Sequence, residues 1–328
     1  MTLVSKEMFD RFNDLKVMIV GDVMIDRYLT GHVDRISPEA PVPIVLQHSR
    51  DNRLGGAANV GLNVSAMGAK VFLCSVIGAD ENADIFSELL ANRHLTSEGI
   101  LKSTARRTTV KTRVMAGSQQ LLRVDQEDSF DLSDQEEEML LERIEAILKA
   151  EKIDVIIFQD YNKGVLTSGV IEGVINKSKQ LAIPTAVDPK FKNFWAYNGV
   201  TMFKPNLREI RDQCGFEIDT TIESLDHASA YVKKQLNNQI SLITLSEKGL
   251  YISNGQKSQI IPTKVRGLVD VCGAGDSVIS LAALGLALGL DMELIADLSN
   301  HAGGQVCEKN GVVPVDKDQL LAAFVSVK

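Results

Sequence analysis

Short apolar runs alternate with helical periodicity along most of this chain, and no other feature restricts its fold as tightly. Lys16–Val20, Val71–Ile77, Asp154–Phe158, Pro184–Asp188, Val200–Lys204 and Ser241–Leu245 read as strands. Between them Ala57–Met67, Ala83–Asn92, Ser168–Gln180 and Ile222–Leu236 carry apolar residues at helical spacing. Ser133 and Glu136 form a capping-box pattern ahead of a helix that puts Met139, Leu140, Ile144, Ile147 and Leu148 on one face. Tyr251–Ser253 and Ser258–Ile261 flank Asn254-Gly255 as a hairpin. Helices Gly275–Leu288, Met292–Glu308 and Lys317–Val325 close the chain. Strands that are apolar on both sides need cover on both sides, so the pattern predicts a three-layer α/β fold around a mostly parallel sheet.

One region has another texture. From Asp26 to Arg53, apolar residues such as Tyr28, Val33, Ile36, Val42 and Val45 are interleaved with polar ones and punctuated by Pro38, Pro41 and Pro43. That alternation predicts half-exposed strands projecting from the main body, not a helix. Further strands are expected near Thr108–Met115 and Gln120–Asp125.

Ligands of parallel sheets collect at the carboxyl ends of the strands. Polar residues gather there: Gly21-Asp22, Gln159-Asp160, Asp188-Pro189-Lys190, Lys204-Pro205-Asn206 and Ser246-Glu247. The sharpest signal is Asp270-Val271-Cys272-Gly273-Ala274-Gly275-Asp276, read as following strand-like Thr263–Val269 and opening a long apolar helix. Glycines let the backbone turn and approach a ligand, and a helix start offers amides and partial positive charge to an anion. Asp276 on the first turn is placed to accept a proton from an attacking hydroxyl. The plainer reading of the segment is a tight turn. Asn206 and Glu209 have two readings: an N-cap with its capping-box partner, or oxygen donors to a hydrated Mg²⁺. Asp22 and Asp26, with Gly55, Gly56 and Asn59, suit binding of sugar hydroxyls; solvated loop residues are the alternative.

Other classes are disfavoured. A net charge of −8 argues against general binding to nucleic acid or an acidic membrane surface. Val278–Leu290 is too short to span a bilayer, and its Gly285 and Gly289 fit close helix packing. No basic segment followed by an apolar one stands at the start, so no signal peptide is expected. Cys74, Cys214, Cys272 and Cys307 are widely spaced, which fits reduced thiols and a cytoplasmic setting, and the five histidines show no metal-ligand spacing. There is no GxxxxGK[ST], and Val278 stands where the third glycine of a dinucleotide fingerprint would fall.

Taken together, these residues resemble the PfkB (ribokinase-like) carbohydrate kinases from Lys16 to about Val325. The likeness implies a single kinase domain over residues 1–328, with residues 26–53 and strands near 106–125 forming a β lid over the sugar, often shared across a homodimer. It implies ATP and Mg²⁺ and leaves a monovalent-cation requirement open. It carries the catalytic base onto Asp276, the anion hole onto Gly273, Ala274 and Gly275, the Asn-x-x-Glu motif onto Asn206 and Glu209, and sugar contacts onto Asp26, Gly55, Gly56 and Asn59. The nucleotide base is expected near Ser246–Gly249 and Asn300–Gly304. Within the family, the strings Gly21–Tyr28, Arg35–Pro43, Gly55–Val60, Gln119–Asp125 and Asp188-Pro189-Lys190 resemble the D-glycero-β-D-manno-heptose 7-phosphate kinases. Those enzymes form heptose 1,7-bisphosphate for the lipopolysaccharide inner core, and many are fused to an adenylyltransferase. No H-x-G-H string is present here, so a stand-alone kinase or a separated half is expected. A sugar that already carries phosphate needs cations, for which Arg107, Arg123 and Lys190 are candidates. Cys272 and Gly303-Gly304 depart from the family's usual residues. The rival readings are a kinase of another sugar (fructose or tagatose phosphate, or ribose) and a regulator that binds without turnover.

Overall fold

The computed structural model describes residues 2–263, 271–309 and 311–326. The stretch read as strand Thr263–Val269, apart from Thr263, and Asp270 of the signature segment lie outside the described residues. The described strands, in chain order, are β1 (Lys16–Gly21), β2 (Val23–Ile36), β3 (Pro43–Gly56), β4 (Lys70–Gly78), β5 (Ile100–Ser103), β6 (Val110–Ala116), β7 (Gln119–Gln126), β8 (Val155–Gln159), β9 (Thr185–Asp188), β10 (Met202–Phe203), β11 (Ile240–Thr244), β12 (Leu250–Ser253) and β13 (Ser258–Ile261). The helices are α1 (Thr2–Arg11), α2 (Ala57–Ala66), α3 (Glu81–Asn92), α4 (Asp134–Ala150), α5 (Ser168–Gln180), α6 (Leu207–Cys214), α7 (Ile222–Leu236), α8 (Ala274–Ala287), α9 (Met292–Cys307) and α10 (Lys317–Ser326).

The main sheet runs β13-β12-β11-β10-β9-β8-β1-β4-β5. It is parallel from β11 to β5, and the β12–β13 hairpin adds the antiparallel edge. Side chains alternate along a strand. On β1, Val17 and Ile19 face one core with α2, α8 and α9, while Met18 and Val20 face a second core with α4, α5 and α7. Three layers follow directly from that alternation.

A second sheet, β3-β2-β6-β7, stands apart from the first. Its strands start closer to the body than the proline-punctuated texture suggested: β2 begins at Val23 and β3 ends at Gly56. Gly56 (φ +60°) turns the chain into α2, and a Cβ there would lie 2.4 Å from the Asp22 carbonyl oxygen. β5 and α1 have no counterpart in the sequence reading, the short α6 follows the N-cap reading of Asn206, and the expected strand at Val200–Lys204 shrinks to Met202–Phe203. Close packing at Gly285 is real, since a Cβ there would sit 3.0 Å from Ile295 Cγ1 on α9. No described helix is long and apolar enough to cross a membrane.

Candidate active site

Helix α8 begins after Gly273, which takes the left-handed conformation at φ +81°. Glycine is suited to that position because it carries no Cβ penalty. The first turn then sets Asp276 facing inward, only 7% exposed. Its Oδ2 accepts from Asn59 Nδ2 at 2.6 Å, and its Oδ1 accepts from the Tyr161 hydroxyl at 2.7 Å. Gln159 Nε2 lies 3.4 Å from Oδ1 and 3.3 Å from Asp188 Oδ2. Burial pushes the Asp276 carboxyl up to about 6; the donors Asn59 and Tyr161 pull against that, Asp188 adds to it, and Lys204 opposes it. A buried carboxylate tuned towards neutrality suits a general base. Helices α2 and α8 bring Asn59 to Asp276, pinned by Ser280 Oγ, which donates to the Val60 carbonyl. Beside the helix start, Lys204 pairs with Asp188 at 3.0 Å, both buried, and a Cβ on Gly275 would be 3.8 Å from Asp188 Oδ2 and 3.9 Å from Lys204 Nζ.

Asp22 requires a correction. Its side chain is 1% exposed, and its oxygens accept from the backbone N–H groups of Tyr161 (2.8 Å), Lys163 (3.1 Å) and Val165 (3.1 Å). A carboxylate committed to three amides shapes a loop; it is not offered to a sugar. Burial raises its pKa, and those three amides and Arg106 only partly counter the rise.

On the lid side, Asp26 is buried and ion-paired with Arg113. Gly55 makes room for it, because a Cβ there would meet Asp26 Oδ2 at 2.3 Å. Asp26, Tyr28 and Arg113 share one face of the lid by strand register, with Arg123 opposite Arg113. Arg53 and Arg113 lie over the Tyr28 ring, 4.7 and 5.4 Å from its centre. All three residues expected to clamp a phosphate are ion-paired. Arg107 is exposed and held by both Asp128 oxygens, and Lys190 pairs with Glu209 at 2.5 Å. Burial works against the Lys190 charge, but Asp188 and Glu209 outweigh it and hold its pKa above the usual lysine range. Arg123 is also paired, with Asp125 on its own strand.

On the other side of Gly275 a pocket of about 520 Å³ opens. Ser246, Gly249 and Asn300 line it, with Val278, Leu250 and Gly303-Gly304 giving apolar walls. Gly249 (φ +99°) is required there, since a Cβ would collide with the Ile261 carbonyl at 2.0 Å. Asn300 Nδ2 is tied to the Pro262 carbonyl at 2.8 Å. Asn206 caps α6 and closes a capping box with Glu209, so the plainer of the two readings of that motif is built into the fold. Glu209 Oε2 serves the cap while Oε1 meets Lys190, so neither oxygen is a vacant ligand for a cation.

A helix that starts at a left-handed glycine, a buried carboxylate on its first turn, a largely apolar pocket to one side and a carboxylate-bearing sheet to the other form an arrangement in which a phosphoryl group could pass to a hydroxyl. The chain belongs to the pfkB family of carbohydrate kinases, whose sequence profile matches residues 14–318. It is similar to the bifunctional protein HldE of Citrifermentans bemidjiense, 39% identical over 315 residues that cover 96% of this chain and 64% of that protein. HldE of Helicobacter hepaticus is 37% identical over 306 residues, 93% of this chain and 63% of that protein. The chain thus spans a little under two thirds of the length of these curated relatives. In structure it resembles phosphofructokinase-2 from Escherichia coli in complex with potassium (TM-score 0.77, 17% identity, 95% of this chain and 99% of that one). Ribokinase of Arabidopsis thaliana complexed with ribose and ATP gives a TM-score of 0.71 at 16% identity, covering 94% and 98%. The fold is the ribokinase-like α/β fold.

Sequence reasoning passed over Tyr161, Gln159 and Arg113 as site residues. Gln159 carried a signal, since it stood among the polar residues at strand ends. Arg113 carried only its alternation with Val110 and Val114 on a lid strand. Tyr161 carried none, because an aromatic after a strand reads as packing.

Proposed function

We propose that the protein transfers the γ-phosphoryl group of ATP to O1 of D-glycero-β-D-manno-heptose 7-phosphate, giving the 1,7-bisphosphate used towards ADP-heptose and the lipopolysaccharide core. The observation that carries the reaction class is Asp276, a buried carboxylate on the first turn of α8 with two donors fixing its plane. The heptose itself rests on the resemblance of the Arg35–Pro43 and Gln119–Asp125 strings, and the similarity to HldE proteins is in keeping with it.

In this reading the adenine occupies the pocket by Ser246, Gly249 and Asn300, and the γ-phosphoryl meets the amides of Gly273, Ala274 and Gly275. Asp276 takes the proton of the anomeric hydroxyl as that oxygen attacks phosphorus in line and ADP leaves. The helix amides and Lys204 receive the charge that builds on the transferring group. Mg²⁺, when bound through water near Asn206 and Glu209, neutralises phosphate charge. Asn59 Oδ1 and Gln159 Oε1 are buried acceptors with no donor among the described residues, and buried polar atoms are normally paired, so both suit a bound hydroxyl. Asp26, held by Arg113, is a further hydroxyl acceptor. For the substrate's phosphate this reading takes the lid cations Arg53, Arg113 and Arg123, which share the face that carries Asp26; each is ion-paired, with Asp51, Asp26 and Asp125, so a phosphate there exchanges one anionic partner for another. The lid's opposite face carries Leu29, Val33, Val45, Val114, Leu122 and Val124, which supports a homodimer through the lid.

The test is ATP consumption with Mg²⁺, with and without K⁺, on heptose 7-phosphate beside fructose 6-phosphate, ribose and no sugar, with product position read by phosphorus NMR. A 1,7-bisphosphate from the heptose alone is expected. Turnover on another sugar would overturn the substrate, and none on any sugar would favour a regulator. Asp276→Asn is expected to keep ATP binding and lose about 10²–10⁴ in kcat.

A further inference from the structure

We infer that Tyr161 is a positioning residue for the Asp276 carboxylate, and that buried Asp22 holds it in place through the backbone of the loop after β8. The inference rests on the reading of Asp276 as the base.

Three observations carry it. The Tyr161 hydroxyl donates to Asp276 Oδ1 at 2.7 Å, on the oxygen opposite the one that Asn59 holds at 2.6 Å. Two close donors on two oxygens fix both the rotation and the tilt of the carboxylate, and Oδ2, which accepts from Asn59 alone, keeps a further lone pair for the substrate's proton. The backbone of the same residue is anchored separately. Asp22, at the carboxyl end of β1, collects the amides of Tyr161, Lys163 and Val165, so one buried carboxylate gathers the whole turn. That turn has little freedom besides. Asn162 and Gly164 are left-handed at φ +55° and +84°, and a Cβ on Gly164 would collide with the Phe130 carbonyl at 1.9 Å. Asp160 adds a third tie, accepting from the Asn162 amide at 2.7 Å and the Tyr197 hydroxyl at 2.9 Å. The Tyr161 ring therefore leaves a backbone held on both sides and delivers its hydroxyl to the base.

The groups that face Asp276 are Asn59 from α2, Gln159 and Tyr161 from β8 and its loop, and Asp188 and Lys204 from the ends of β9 and β10, with Lys190 beyond. Of these, Asn59 and Tyr161 are the close donors. A hydrogen bond to an ionised carboxylate lowers its pKa, so removing the Tyr161 hydroxyl raises the pKa of the base.

The experiment compares wild type, Tyr161→Phe and Asp276→Asn with the sugar that the wild type phosphorylates. In Tyr161→Phe, kcat is expected to fall roughly tenfold to a hundredfold, with KM for ATP and for sugar within about twofold. The acidic limb of its kcat/KM profile is expected at higher pH than in wild type. A loss of packing alone would lower Tm without moving that limb, so thermal melts are run beside the kinetics. Unchanged kcat, a loss confined to sugar KM, or an unmoved acidic limb overturns the inference while an inactive Asp276→Asn leaves the base in place. An active Asp276→Asn removes the base reading and the inference with it. Asp22→Asn serves as a second arm. It is expected to shift the same limb in the same direction, and wild-type pH dependence in a folded Asp22→Asn protein would break the link from Asp22 to Tyr161.

Discussion

Asp276 is held in tension between chemistry and stability. Burial favours its neutral form, with a folded value of about 6 against an ordinary 3.8. Because the folded value is the higher one, this carboxyl stabilises the fold fully below the unfolded value. That contribution is lost as pH rises through about 6. The ionised base thus costs on the order of 1–3 kcal/mol at pH 8. Asp276→Asn should therefore melt higher than wild type at pH 8, with the gap closing towards pH 5; a lower melt at pH 8 would count against the burial cost. In wild type, kcat/KM should drop below about pH 6 as the free enzyme's base protonates, and a flat profile down to pH 5 would contradict that value. Gly55 makes the same point sterically. Gly55→Ala would drive a methyl into Asp26 Oδ2, so sugar KM should rise by about tenfold or more while ATP affinity holds. Titrating each ligand separately checks the split.

At the scale of elements, the site is a meeting of α2, α8 and the strand ends, and close helix packing sets its geometry. Gly285→Val on α8 would overpack Ile295 on α9 and should cost about 1–3 kcal/mol, read as a lower Tm with sugar KM little changed. Much of this scaffold is legible in the residues. Apolar strands at Lys16–Val20 and Asp154–Phe158, and the helix at Ile222–Leu236, follow from periodicity alone, because local pattern and burial agree there. β5 escapes because four residues carry too little period to register. The candidate site was legible where its residues are close neighbours, as at Gly273–Asp276, where the expected helix start and its first-turn carboxylate are both present. It was not legible where partners meet through topology. Asp22 reads like any acidic residue beside glycine until three amides from residues 161–165 fold onto it. Arg107 reads as an unpaired cation until Asp128, twenty-one residues on, meets the Nε and Nη2 edge of its guanidinium.

For the whole molecule, the lid sheet has one face towards the site and one that strand register leaves with Val33, Leu122 and Val124 at least partly exposed. If that face closes a homodimer, Leu122→Glu with Val124→Glu should yield monomers by light scattering, and an unchanged mass would place the interface elsewhere. The lid is also rooted in an informative place. Only Asp22 separates β1 from β2, and Gly56 both ends β3 and caps α2, so both roots of the second sheet lie beside the residues proposed to handle the sugar. If the sheet swings as a lid about that point, it carries Asp26 away from Asp276. Sugar affinity and lid angle are then two readings of one equilibrium. Any change that lowers the population of the closed form, however distant, weakens apparent sugar binding by that same fraction.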